Sequence, residues 1–270
     1  MPRLAANLSL MFNEVPFLDR FERAAAAGFT AVEFLFPYAW PAAQIRALLD
    51  RHGLQLVLHN LAPGDWDGGE RGLAGLPGRE AEFRASLAQG IEYARVLGVP
   101  RLHVMSGKLP AQLDADSRAL ARRTLVASMR LAAAEFAQAG LTLLVEPLNR
   151  HDMPGYFLSS SADGIALLDE VGADNALLQY DLYHMQRTEG EIANTITRLL
   201  PRIGHMQIAD TPGRHEPGTG EMNYPFLLRH IDAAGYTGWI GCEYKPAGLT
   251  EDGLGWLDGV ARSELAGVAR

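Results

Sequence analysis

Short apolar runs alternate with longer amphipathic ones from one end of the chain to the other. Eight runs have the length and content of strands: Leu4–Leu8, Ala31–Phe36, Leu54–Asn60, Arg101–Met105, Leu141–Glu146, Leu177–Asp181, Gly204–Ala209 and Trp239–Tyr244. Several are rich in Val, Ile, Leu or Phe, as strands covered on both faces should be. Between them, "PFLDRFERAAAAGF", "REAEFRASLAQGIEYARVLG" and "SRALARRTLVASMRLAAAEFAQAG" space their apolar residues by three or four and end on glycine. Gly28, Gly98, Gly140 and Gly235 read as helix stops. A last helical pattern, near Glu251–Val268, completes eight strand–helix units.

This alternation predicts a parallel sheet wrapped by helices. Eight units in 270 residues match an α/β fold of one kind, a single (β/α)8 TIM barrel, for which about 250 residues is typical. No linker, low-complexity tract or sequence repeat interrupts the pattern, so residues 1–270 read as one domain. An open doubly wound sheet usually carries a Gly-rich turn after its first strand, and "ANLSLMF" has none. Two connections are long: "LAPGDWDGGERGLAGLPG" after the third strand and "DTPGRHEPGTGEMNY" after the seventh. Both fall where strands end and helices begin, the side on which barrel enzymes build their sites, and their glycines suggest a lid over a small pocket.

Charge enters the picture at the strand ends. "LTLLVEP" ends on Glu146, "ALLQYDL" on Asp181 and "GWIGCEYKP" on Glu243, although an unpaired charge buried in a strand costs several kcal/mol or is neutralised. With Gln207 in the seventh strand, four polar residues follow one another at spacings of about 35, 26 and 36 residues, roughly one unit each. In a closed barrel they converge. Three carboxylates and an amide oxygen facing one point repel unless a cation lies between them, and an all-oxygen set suits Mg²⁺ or Mn²⁺ better than zinc. His59, Lys108, His184 and Arg214 follow or end neighbouring strands and are candidates to bind the carboxylate or hydroxyls of a small anionic substrate. His103 and His205 read as hydrogen-bonded barrel or interface histidines, and Cys242, one residue before Glu243, should face the helices.

Composition narrows the partners. A hydrophobic content of 48% is ordinary for a globular protein, and a formal net charge of -8 argues against a nucleic-acid footprint. Small molecules or further copies of the chain, as a homodimer or larger assembly, are the expected partners. No stretch of about 20 apolar residues occurs and the N-terminus lacks a signal-peptide pattern, so no membrane association is expected. The single cysteine rules out an intrachain disulfide framework and fits a reducing, cytoplasmic setting.

At these residues the sequence resembles the hydroxypyruvate isomerase family, within the xylose-isomerase-like barrels. The resemblance runs through "AANLS", "VEFLFPY", "LHNLAPGDWDGGERGL" with "LPGRE", "VEPLN", "DLYHMQRTEGE", "IGHMQIAD", "RHEPGTGEMNY" and "GWIGCEYKP". It implies a divalent metal ion on Glu146, Asp181, Gln207 and Glu243, with Glu146 and Glu243 as the acid–base pair. The implied reaction interconverts hydroxypyruvate and tartronate semialdehyde (2-hydroxy-3-oxopropanoate) by enediolate proton transfer. In the related ketose epimerases a histidine usually stands where Gln207 does, which sets this chain nearer the isomerases. The termini look at least as much like the 2-oxo-tetronate isomerase branch; the central segments "VLHN", "SGKLP", "DLYHMQRTEGE" and "EPGTGE", where the pocket lies, favour hydroxypyruvate. A ketose 3-epimerase, a metal-dependent nuclease and a non-catalytic sugar-acid-binding barrel are the rival readings.

Overall fold

The computed structural model describes residues 2–110 and 112–258. Strands β1 (Arg3–Asn7), β2 (Ala31–Phe34), β3 (Gln55–Asn60), β4 (Arg101–His103), β5 (Thr142–Val145), β6 (Ala176–Asp181), β7 (Ile203–Ile208) and β8 (Trp239–Cys242) run in sequence order around a closed barrel. Every neighbouring pair is parallel, and β1 closes on β8 with Arg3 opposite Trp239 and Ala6 opposite Cys242. An open doubly wound sheet is thereby excluded.

The helices between them are α1 (Arg20–Ala26), α2 (Ala42–His52), α3 (Glu80–Leu97), α4 (Ala115–Gln138), α5 (Ser161–Val171), α6 (Leu182–Thr188), α7 (Ile192–Leu199) and α8 (Tyr224–Ala233). The sixth unit carries two of them, and the first opens on a 3₁₀ turn at Phe17–Asp19. After β8 the chain forms a 3₁₀ helix over Glu251–Gly255 followed by helical residues 256–258. The rest of the helix expected over Glu251–Val268 lies outside the described residues. No helix among the described residues is long and apolar enough to cross a membrane.

All eight strands sit where the apolar runs place them, but several end sooner. β5 stops at Val145 because Pro147 has no N–H to extend a ladder, which leaves Glu146 just beyond the last pairing. β2 stops at Phe34 and β8 at Cys242, again with a proline close behind, at Pro37 and Pro246. The acids therefore stand on the rim, where the backbone turns outward.

The main hydrophobic core lies between strands and helices and includes Cys242, whose side chain faces the helices as its alternation with Glu243 requires. A second, separate cluster of Ala5, Ala31, Val57, Leu58, Leu144 and Trp239 draws on β1, β2, β3, β5 and β8. Strands on opposite sides of a barrel meet only inside it, so this cluster plugs the interior. Ala31 and Trp239 open their strands, which places the plug towards the end opposite the rim.

The long connection from β7 to α8 is folded around one buried carboxylate. Asp210 accepts from the backbone N–H groups of Thr211 (2.9 Å), Gly218 (2.8 Å), Gly220 (3.0 Å) and Met222 (3.0 Å). Only glycine fits at 220, since a Cβ there would lie 1.8 Å from the Thr211 carbonyl oxygen. Asp210→Ala leaves these donors without their acceptor and is expected to cost about 2–4 kcal/mol. Urea unfolding measures the loss, and amide exchange should speed up over residues 211–222; wild-type protection there would contradict this account.

Candidate active site

Asp181 ends β6 and caps α6, accepting the Tyr183 N–H at 2.8 Å through Oδ1. Its Oδ2 is buried without a hydrogen-bond partner. Glu243 follows β8, and its N–H still reaches the Ile208 carbonyl at 3.1 Å, which holds it against β7. Glu146 stands beyond β5 with Oε1 also buried and unpartnered. Ligand-type atoms of Glu146, Asp181, His184 and Glu243 lie within 4.8 Å of one another, and all four residues are buried.

The nearest cation is Arg214. Its Nη2 is 2.6 Å from Glu243 Oε2 and 3.8 Å from Asp181 Oδ2, and the guanidinium lies 5.1 Å over the Tyr183 ring. The backbone adopts a left-handed conformation there, φ 56°, uncommon for a residue with a side chain. It is pinned on both sides, by Arg214 N–H to Asp210 O (2.9 Å) and Lys245 N–H to Arg214 O (2.8 Å).

One guanidinium does not neutralise three carboxylates. Burial pushes Glu146 well above the usual carboxylate range, and the charges of Glu243 and Asp181 push it further. Burial raises Glu243 to about 8 against the pull of Arg214, and Asp181 to about 6 against Arg214 and two backbone N–H groups. Buried acids whose pKa values rise for want of positive charge, two of them with an orphaned oxygen, are the donor set of a hard divalent cation. The residues fit such an ion.

His184 plays a different part from the carboxylates. Its Nδ1 accepts from the Asn149 backbone N–H (3.2 Å) and from Asn149 Nδ2 (2.7 Å). The Asn149 amide is oriented in turn by Asp152, which takes one Nδ2 hydrogen at 3.1 Å and returns its own N–H to Oδ1 at 2.9 Å. Burial, then Arg214 and Arg187, hold the ring well below its usual pKa. The neutral ring therefore carries its hydrogen on Nε2, 3.7 Å from Asp181 Oδ2, and offers a donor to an anionic group.

Gln207 is paired in register with Asp181 and with Gly241. Its Oε1 accepts from Gln179 Nε2 at 2.6 Å and its Nε2 donates to Glu33 Oε1 at 2.7 Å. His59 packs its ring on Phe34 and Tyr38 and bonds the Asn60 carbonyl through Nδ1 at 3.1 Å, while its Nε2 is buried without a partner. Lys108 pairs through its backbone with Tyr156, and its ammonium forms no ion pair among the described residues. His205 bonds Glu33, as a barrel histidine should, whereas His103 has both ring nitrogens unpartnered and stands 3.6 Å from Glu146 Oε2.

Three polar residues of this region escape a reading by strand ends: Glu33, Asn7 and Asn149. Glu33 had a signal, an acid inside the apolar run Ala31–Phe36, the same one that singles out Glu146. Asn7 and Asn149 have none, because an uncharged amide in a short motif looks like an ordinary loop residue.

A closed eight-stranded barrel with buried acids and a cation-ready rim places the chain in a family. It belongs to the xylose isomerase-like TIM barrels, whose family model matches residues 21–260. It is 56% identical to 2-oxo-tetronate isomerase of Cupriavidus necator, with 95% of this chain and 98% of that protein covered. It is 48% identical to hydroxypyruvate isomerase of Escherichia coli, over 96% of this chain and 99% of the relative. A crystal structure from Brucella melitensis, described as an AP endonuclease of family 2, superposes with a TM-score of 0.92 at 48% identity, covering 96% and 98% of the two chains.

The titrations give a signed pH dependence for metal-free protein. His59 (about 4), His103 (about 3) and His184 are neutral when folded, so their contribution rises with pH and is complete above the unfolded value, ~6.5. Glu146 and Glu243 hold protons that the unfolded chain has released, so stability falls as pH rises towards 8, the value Glu243 is raised to. Between pH ~6.5 and 8 only the carboxylates act. Chelator-treated protein should lose melting temperature across that window, and excess Mn²⁺ should abolish the slope; a flat profile without metal would refute the assignment.

Proposed function

We propose that the chain is a divalent-metal-assisted isomerase of short hydroxy-oxo acids, moving a proton between adjacent carbons of an aldose–ketose pair. The observation that carries this reading is the buried acid group of Glu146, Asp181 and Glu243, which supplies both a cation site and two carboxyls with raised pKa. Near-full-length similarity to two isomerases of such acids supports the reaction class. Mg²⁺ or Mn²⁺ would be held by these three carboxylates with the amide oxygen of Gln207, and when bound supplies positive charge for an oxyanion on the substrate.

The chain's own groups then divide the work. Glu146 Oε1, free of other partners, is the oxygen that takes up or returns a proton. Glu243 is the opposite member of the pair, and their mutual repulsion favours one proton between the two, one acid and one base. His184 Nε2–H and Arg214 orient the anionic substrate, and Arg214 releases Glu243 as it does so. The fit of hydroxypyruvate to this scheme rests on the central segments of the sequence. The greater identity to a 2-oxo-tetronate isomerase favours a four-carbon acid as a second reading. Phosphodiester cleavage fits less well, since the chain carries a net charge of -8 and, among the described residues, one compact acidic cluster. A cytoplasmic setting accords with the one buried, unpaired cysteine.

Assays of hydroxypyruvate and 2-oxo-tetronate side by side should show turnover of at least one, lost on chelation and restored by Mn²⁺. A preference of about tenfold or more in kcat/KM assigns the branch. Saturable binding without conversion of either would make the barrel a binding protein instead. Glu146→Gln and Glu243→Gln should each lower kcat by roughly 10²–10⁴-fold, and deuterium from heavy water should enter the product carbon. Full label exclusion at low conversion would point to a hydride shift and remove the acid–base pair.

A further inference from the structure

Glu33 stands inside the barrel on β2, 1% exposed, and touches none of the acids of the rim group through its own atoms among the hydrogen bonds described. Its oxygens accept three donors: Asn7 Nδ2 at 3.0 Å, Gln207 Nε2 at 2.7 Å and His205 Nε2 at 2.6 Å. Each donor is committed on its other side. Asn7 Oδ1 accepts the Ser9 N–H at 3.0 Å, Gln207 Oε1 accepts from Gln179 at 2.6 Å, and His205 Nδ1 faces Arg101 Nη1 at 3.5 Å. None of the three can turn over without losing bonds at both ends.

The barrel makes room for this carboxylate. Gly241 on β8 lies so close that a Cβ would sit 2.2 Å from Glu33 Oε1. Asn7 Nδ2 also reaches Glu243 Oε1, at 3.3 Å, so one amide ties Glu33 to the rim. A side-chain amide can present either oxygen or NH₂, and only the oxygen can face a cation. Glu33, acceptor-only as a carboxylate, takes the NH₂ end of both Gln207 and Asn7.

We propose that Glu33 is a positioning residue for the cation site: it holds Gln207 by its NH₂ end, so that the oxygen, with one lone pair on Gln179, keeps its second for an ion, and through Asn7 it steadies Glu243. This rests on the metal-assisted reading above. A glutamine in its place can donate as well as accept, so Gln207 keeps only its bond from Gln179 to hold one orientation. Gly241→Ala displaces the carboxylate without removing its charge, an independent lesion of the same contact.

Mn²⁺ binding, followed by the electron paramagnetic resonance signal of the free ion, tests the assignment on full-length protein. Glu33→Gln should bind Mn²⁺ about 10–100-fold more weakly, with Gly241→Ala shifted the same way, while kcat at saturating Mn²⁺ recovers more than the affinity does. A purely structural Glu33 would lower the melting temperature and leave the affinity of the folded protein unchanged; that result overturns the proposal. Should Glu33→Gln fail to fold, Gly241→Ala decides the same question. Wild-type protein that binds no Mn²⁺ would sink the metal reading instead, and the positioning role would then stand or fall on whether Glu33→Gln lowers kcat.

Discussion

Like charge held out of water is the constraint on which the rest of the structure depends. Glu146, Asp181 and Glu243 crowd within a few ångströms at the rim, and Arg214 is the one guanidinium that pairs with them among the described residues. Desolvated acids at that separation either share protons or gather a cation. Much of the surrounding architecture answers to that choice. Asp210 folds the β7–α8 connection so that Arg214 stands in a left-handed conformation beside Glu243. Asn149 sets the tautomer of His184 so that a donor faces Asp181.

The barrel interior is layered by polarity. An apolar plug around Trp239 and Leu144 closes one end, and above it Glu33, Gln179, His205 and Gln207 form a fully buried polar tier. Barrel interiors are usually filled by branched aliphatic side chains, so the tier is a departure that needs a reason. Each member has a partner within the tier, although Gln179 Oε1 is left unpartnered, and two further orphaned oxygens, Glu146 Oε1 and Asp181 Oδ2, lie in the acids at the rim. A tier held by hydrogen bonds beneath acids with free oxygens suits a preorganised polar site, since groups already fixed in place need no rearrangement when a charge arrives.

The fold was legible because its signal is repeated eight times, so that an error in any one run does not change the count. The convergence of Glu146, Asp181 and Glu243 followed from that count alone, each acid being placed at the end of a strand whose position was secure. What the pattern could not supply was side-chain direction in loops and in irregular strand ends. His59 sits beside a strand terminus as His184 does, and its ring packs on Phe34 and Tyr38 with Nε2 left unpartnered, an orientation no run of residues reveals. Register near a bulge is equally opaque: β2 and β3 slip between Val32 and Glu33, and that slip helps to decide which side of β2 Glu33 occupies. The amides were invisible for another reason, since their role lies in which of two similar atoms faces which neighbour.

Closure of the barrel has a consequence for biosynthesis. Asn7 and Glu243 share a hydrogen bond across 236 residues of chain, and β1 finds its second partner only when β8 exists. Contacts so distant in sequence form late, after most of the loop-closure entropy has been overcome. A nascent chain that has folded its first six units still lacks Gln207, Arg214 and Glu243, so its half-built rim has little hold on a metal ion. A divalent cation held by this rim would therefore bind the finished barrel rather than its intermediates, and its binding would report that the eighth strand is in place.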